Sequence, residues 1–313
     1  FCRRACMRSN ALLAVGLAGF VSVTAIHVAQ IAVMGLAWGL LIRGFRPWVA
    51  IWGRLVRDAG SEVLPLSQVG GYVLGTRAVA LAGVPATQGA ASTIVDVTLE
   101  FVSQLAYIAL GLVWLLHLHA EGGVSPALVV AGLAGASCLA VAFILVQRRG
   151  ARYVDRIAGI LGQGWAEKTA AGANALHQAL EAIYRRRGGV WSSFMIHFGC
   201  WVVSASEVWV ALWFAGQQLA FGDAVVIESL VYAIRTTAFM VPNSMGVQEG
   251  AYILLGGAFG LSPEMALALS FLKRARDLAI GLPTIALWQG VEGDRLWRRI
   301  AAKAPAATVI DAE

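Results

Sequence analysis

Long stretches of this chain pass without a full charge. Ala11–Ile42 and Gly122–Gln147 carry none, and Gly188–Gly222 carries only Glu207. A hydrocarbon core about 30 Å thick is crossed by about 20 helical residues, so each stretch is long enough to span a bilayer. A soluble fold would have to hide all of them in one core. Only 13% of the residues are charged and 58% are hydrophobic, against about 25% charged in ordinary soluble domains. The chain therefore reads as an all-α polytopic membrane protein.

The net charge of +6 does not point to nucleic acid. Its basic residues lie in short runs beside the apolar segments, as in loops that face an anionic cytoplasmic leaflet. The four cysteines, Cys2, Cys6, Cys138 and Cys200, have no metal or redox spacing. His117 and His119 form an H-x-H with no further ligand nearby, so no metal or cofactor is expected. There is no P-loop, no G-x-S-x-G and no H-E-x-x-H, so no enzyme signature is present.

Spans are expected at about 18–42, 86–116, 124–146, 190–218 and 264–289. Between them lie two segments broken by Pro and Gly, at about 61–82 and 223–260. The first break reads Pro65-Leu66-Ser67-Gln68-Val69-Gly70-Gly71, the second Pro242-Asn243-Ser244-Met245-Gly246-Val247-Gln248-Glu249-Gly250. In both, Ser follows Pro by two residues and Gly comes next. A second Pro follows about twenty residues later, Pro85 in one and Pro263 in the other. Matched broken segments in two halves of a membrane protein mark a transporter-like architecture with a central site. The expected organisation is a first membrane repeat at 11–147, an amphipathic cytoplasmic or interfacial region at 148–189, a second repeat at 190–290 and a cytoplasmic tail at 291–313. Residues 1–10 read as a non-native or truncated flank, with a span expected to be missing before Ala11.

The basic runs at 43–57 (Arg43, Arg46, Arg54, Arg57), 148–187 and 295–303 share one side of the membrane only if each broken segment enters and leaves on one face. The first would dip in from the cytoplasm and the second from the opposite side. This predicts inverted repeats, each with a re-entrant helical segment.

Lys273, Arg274, Arg276 and Asp277 fall midway along the last expected span. Each ionised group there costs about 2.5–3.5 kcal/mol, so all must be paired or face a wet cavity. Asp277 offsets one cation and two remain. Asp96 and Glu100, four apart on one helix face, are the expected counter-charges. Asp96 lies eleven residues after Pro85, as Arg274 lies eleven after Pro263. Glu249, Glu228 and Glu207 are further partners. Gln68 and Gln248 supply neutral hydrogen bonds in the breaks, and Ser67 and Ser244 either join them or cap the resuming helices. Arg77 and Arg235 either bind phosphate oxygens or snorkel to the interface. The charged set reads either as a polar pathway or head-group site at the repeat interface, or as a salt-bridge network that locks helices.

The pattern Pro242-x-Ser-x-Gly246-x-x-Glu249-Gly250, followed by Leu272-Lys-Arg274-x-Arg276-Asp277, resembles the flippase-like family around the membrane part of lysylphosphatidylglycerol synthase. Leu64-Pro65-x-Ser-Gln68-x-Gly70-Gly71 and Asp96 with Glu100 add to the likeness, which extends from about Gly19 to Gln289. Within the family it is most similar to the hopanoid-associated branch. The resemblance implies a multi-pass protein of the bacterial inner membrane that moves or delivers lipid, hopanoid or anionic phospholipid. Because the chain ends at Glu313, the synthase's aminoacyl-transfer domain is expected to be absent. The substrate-binding set is then Glu249, Gln248, Ser244, Arg274, Arg276, Lys273, Asp277, Gln68, Asp96 and Glu100. Two other readings stay open: a scaffold that holds lipid-biosynthetic enzymes, and an intramembrane lipid-modifying enzyme with Glu249 as base.

Overall fold

The computed structural model describes residues 2–44, 46–64, 67–118, 134–135, 138, 141, 163–237, 241 and 244–303. The regular structure of these residues is all helical. In chain order the helices are α1 (Cys2–Gly39), α2 (Pro47–Val63), α3 (Ser67–Leu81), α4 (Ala86–Leu118), α5 (Gln163–Tyr184), α6 (Arg187–Phe214), α7 (Phe221–Thr237), α8 (Val247–Ala258) and α9 (Pro263–Lys303). Three of them contain stretches long and apolar enough to cross a membrane: Ala14–Gly39, Ala86–His117 and Arg187–Phe214. The span expected at 124–146 lies almost wholly outside the described residues, as do Pro65, Pro242, His119 and the start of the 148–189 region.

α2 and α3 form a tight antiparallel pair. A Cβ on Gly60 would come 3.1 Å from Gly71 Cα, and one on Gly75 would come 3.0 Å from Gly53 O. Small residues on both helices let the backbones approach. The pair's open end lies beside Trp38, Leu41, Ile42, Val49, Val79 and Ile183. The first break falls where expected, but the helix before it begins at Pro47. Arg54 and Arg57, read from the sequence as part of a basic loop, are therefore helical and only 3% and 2% exposed. Counting charges along the chain placed them in a cytoplasmic loop because it ignored the carboxylates that receive them.

α7 and α8 form the second pair around the second break. Their outer ends, at Phe221 and Phe259, gather with α1 and α6. Gly222 packs on Trp114 and Gly19 on Phe214, and Leu219, Phe259, Leu261 and Met265 join Val15 and Leu212 in one core. The two pairs thus open at different ends of the bundle. Between them Glu62, near the tip of α2, lies within electrostatic reach of Arg235 on α7 and of Arg276 and Asp277 on α9.

α9 is longer than the span expected at 264–289. Pro263 begins it, where a missing N–H costs least, and Ser262 Oγ accepts the Met265 N–H at 3.2 Å. It runs unbroken past position 291, where a tail was expected, and lies along the first pair. Trp288 packs with Val56 and Ala78. Arg295 donates to Leu81 O at 3.1 Å, at the C-terminal end of α3, where cations are favoured. Arg77, expected to bind phosphate or snorkel, pairs with Glu292 at 2.8 Å. On α5, Leu176, Leu180 and Ile183 face the Trp38–Ile42 cluster, while His177 and Glu181, and Arg185 just past its end, stay exposed. One side of α5 is thus apolar and packed while the other is polar.

Candidate functional site

Among the described residues, buried charge gathers in two clusters, and both include α6. In the first, α2 presents Arg54 and Arg57, one turn apart, to Asp96 and Glu100 on α4. Arg57 Nη1 donates to Asp96 Oδ2 at 2.6 Å, and its Nη2 donates to Glu100. Arg54 Nη2 donates to Glu100 Oε1 at 2.6 Å, and its Nε to Asp58 Oδ2 at 2.8 Å. His197 Nε2 on α6 lies 2.9 Å from Asp96 Oδ1. Paired forks of this kind hold guanidinium and carboxylate groups where isolated charges would be prohibitive.

In the second cluster, α9 presents Lys273 and Arg276, again one turn apart. The Lys273 ammonium bonds Glu228 of α7 and lies 3.7 Å from Glu207 of α6. Arg276 bonds Glu207 and, at 2.6 Å, its neighbour Asp277. His27 of α1 stands between two of these carboxylates, with Nδ1 2.9 Å from Glu207 Oε1 and Nε2 3.8 Å from Asp277 Oδ1. Tyr252 of α8 donates to Glu228 Oε2 at 2.7 Å. Lys273 also lies over the Tyr232 and Tyr252 rings, 5.6 and 5.9 Å from their centroids, a favourable setting for a desolvated ammonium. Five helices are tied together by this one network.

A third pair sits at the second break. Arg274 Nε donates to Glu249 Oε1 at 2.7 Å, and both side chains are 17% exposed. Glu249 Oε2 accepts the Gly246 N–H at 2.8 Å, so the carboxylate also closes the first turn of α8. Gly246 is the residue before that helix, with φ of 80°, and Ser244 has φ of 47°. Ser244 therefore does not take the capping position considered for it. A non-glycine in this region of backbone space is a local strain, often kept at a functional segment. Gln248 is buried and donates to Ser270 Oγ at 2.9 Å.

The residues singled out from sequence thus fall into different places. Glu249, Ser244 and Gln248 cluster at the second break with Arg274. Lys273, Arg276 and Asp277 belong to the neighbouring buried network. Asp96 and Glu100 do not face the 273–277 charges as the matched proline spacing suggested. The arginines of α2 reach them first, and Glu207, Glu228 and Glu249 serve the basic residues of α9. Gln68 is the second residue of α3, and its side chain lies outside the described residues. Sequence reasoning read Arg54 and Arg57 only as part of a basic loop and gave no role to His27 or His197. A signal for the first two existed. Arg54-x-x-Arg57-Asp58 and Lys273-x-x-Arg276-Asp277 share one pattern, and in both the two cations take buried carboxylates from other helices.

One cavity of about 390 Å³ is bounded by Gly39, Leu40, Ile42, Arg43, Gly44 and Arg186 at the open end of the first pair. Another, of about 500 Å³, lies along α1 from Phe20 to Ala32. Neither is lined by the Glu249–Arg274 pair. The family model described as Lysylphosphatidylglycerol synthase TM region matches residues 5–283 of the chain. No curated protein and no solved structure gives a significant match.

Proposed function

We propose that this chain, which belongs to the lysylphosphatidylglycerol synthase transmembrane-region family, is a lipid transporter or flippase of the bacterial inner membrane, spanning it several times. Membership and the apolar helices make it a membrane protein of lipid-related function. The step to transport rests on one arrangement. Two helical pairs, each broken by Pro and Gly in the sequence, open at different ends of the bundle and bring Glu62 and Arg235 within electrostatic reach. Read as re-entrant segments of inverted repeats, they would bound a site near the bilayer midplane that rocks between two faces.

In this reading the Glu249–Arg274 pair is the head-group contact. An anionic head would displace Glu249 from Arg274, and a hydroxylated neutral head would bond to both. Hopanoids are the substrate class put forward. Being mostly neutral, they need a site without strong net charge, and the carboxylates of Glu207, Glu228, Glu249 and Asp277 offset the cations of α9. Arg43, Arg46, Arg186 and Arg295 would mark the cytoplasmic face. The reading assigns the protein no bond-making chemistry, since both Glu249 oxygens already accept hydrogen bonds and neither is poised as a base. A scaffold for lipid-biosynthetic enzymes is the second reading, favoured by the same internal pairing.

Glu249→Gln tests the choice. The amide keeps one acceptor, and the pair is partly exposed, so stability should fall by at most about 1 kcal/mol. Lipid analysis of separated inner and outer membranes should show hopanoid retained in the inner membrane at normal protein level. An unchanged distribution would favour the scaffold. A new lipid product would favour an enzyme.

A further inference from the structure

We propose that the cavity at the open end of the first pair, bounded by Gly39, Leu40, Ile42, Arg43, Gly44 and Arg186, holds the phosphate of an anionic phospholipid. The site is separate from the Glu249–Arg274 pair and does not depend on the transport reading.

The first argument is charge. Arg54, Arg57, Arg77, Arg185, Arg274 and Arg276 each meet a carboxylate. Arg43 and Arg186 pair with none among the described residues, yet they come from distant parts of the chain to line one cavity of about 390 Å³. Two guanidinium groups at one cavity repel unless an anion joins them. Each is a planar fork that matches the oxygens of a phosphate.

Geometry gives the second argument. Arg186 is the residue before α6, whose first turn holds no acid. A helix carries partial positive charge at this end, so a cation is disfavoured there unless an anion accompanies it. The Arg186 guanidinium nevertheless lies over that turn, because a Cβ on Gly189 would stand 4.0 Å from its Nη2 and 3.2 Å from Leu40 O. From the other side, α1 tightens as it ends. Leu41 and Ile42 donate three residues back, to Trp38 O and Gly39 O, each at 3.0 Å, and Gly44 turns the chain with φ of 68°. Arg43 is thereby held at the rim, opposite Arg186.

Depth makes the ligand a lipid. The apolar stretch of α1 ends at Gly39, so the cavity begins where the hydrocarbon gives way to head groups. Trp48 and Trp191, close in sequence to the two arginines, are exposed, as in the aromatic belts of membrane interfaces. Leu36 and Val33, one and two turns from Leu40 toward the bilayer, are exposed as well and give an acyl chain an apolar track. A free phosphate offers the same oxygens but has nothing to lie on that track. An anionic phospholipid uses both, and its phosphate would tie the end of α1 to the start of α6.

The test is native mass spectrometry of the full chain, released from detergent with phosphatidylglycerol or with phosphatidylcholine of the same acyl chains. Wild type should keep one phosphatidylglycerol that an equal amount of phosphatidylcholine, whose choline cation the arginines repel, does not displace. Arg43→Gln and Arg186→Gln should each weaken that binding about tenfold, as loss of a charge-assisted hydrogen bond does, and the double variant should lose it. Both side chains are exposed, so the variants should fold. Arg185→Gln removes the same charge from the adjacent residue, but that side chain is 82% exposed and pairs with Glu181, so it should bind as wild type. Glu249→Gln should also keep the lipid, whatever it does to transport. Equal weakening in Arg185→Gln would mean only general attraction between a basic surface and anionic lipid, and would overturn the proposal. Wild-type binding in the double variant, or loss of the lipid in Glu249→Gln, would overturn it too. Inorganic phosphate decides the source. At millimolar concentration it should leave the lipid in place, and displacement would overturn the lipid assignment in favour of a free phosphate.

Discussion

Replacing Arg57 by Met should cost about 3–5 kcal/mol of stability, the range for removing one partner of a buried ion pair. Met replaces the aliphatic stem of the arginine, so most of the apolar packing around it is kept. What is lost is the guanidinium that donates to Asp96 at 2.6 Å and to Glu100 and lies 5.1 Å above the Tyr72 ring. Arg54 remains, but it already serves Asp58 and Glu100 and lies 3.6 Å from Asp96. One of the two acids on α4 is left without an offsetting charge. Thermal unfolding in detergent should show a midpoint far below wild type, with little folded protein recovered. Arg57→Lys should fall between the two, because an ammonium keeps the charge without the planar fork. The double variant Arg57→Met, Asp96→Asn should recover part of the loss, since it removes the stranded acid as well. A single Arg57→Met variant within about 1 kcal/mol of wild type would mean that the cluster is wet and screened.

The membrane helices were legible because a bilayer leaves so few options. Ala14–Gly39, Ala86–His117 and Arg187–Phe214 follow almost directly from uninterrupted apolar stretches and the need to satisfy every backbone group. The breaks near Pro65 and Pro242 were legible for the same reason. The start of α2 was not, because Arg54 and Arg57 made a helix look like a loop. A charge in a membrane sequence reports its surroundings only once its partner is known, and the partners Asp96 and Glu100 lie some forty residues on. The length of α9 was missed because its later residues include Glu292, Asp294 and Arg295, polar enough to suggest a tail. They are helical because they lie along the first pair, with Arg77 and Leu81 O as partners. At the candidate site, the need for counter-charges was clear from Lys273, Arg274 and Arg276, and Glu207, Glu228 and Glu249 meet it. Asp96 and Glu100 were misassigned because equal spacing from a proline sets height along a helix and not which neighbour stands opposite. His27 gave only a weak signal, an isolated ionisable residue in an apolar stretch.

Gly71→Ala should cost about 3 kcal/mol, near the upper end of overpacking penalties, although it adds a single methyl group and improves helix propensity by about 1 kcal/mol. The new Cβ would overlap Ser61 Oγ and the Arg57 carbonyl oxygen and come within 2.8 Å of the Ser61 nitrogen. Two of these three atoms are backbone, so rotating a side chain cannot clear the space. α3 must move away from α2, and Arg57, which projects from the same turn, moves with the separation. The damage should therefore reach the Asp96–Glu100 cluster, and Gly71→Ala combined with Arg57→Met should lose less than the two single losses added. Ser61→Ala should rescue Gly71→Ala only in part, because it clears the hydroxyl and leaves the carbonyl. Gly199→Ala is the control: it lies within α6, and a Cβ there meets nothing within 4 Å, so it should be neutral or slightly stabilising. If Gly71→Ala unfolds in detergent at the same temperature as Gly199→Ala, the helices of the first pair are not in backbone contact. Its tip would then lack the rigidity needed to hold Glu62 against Arg235.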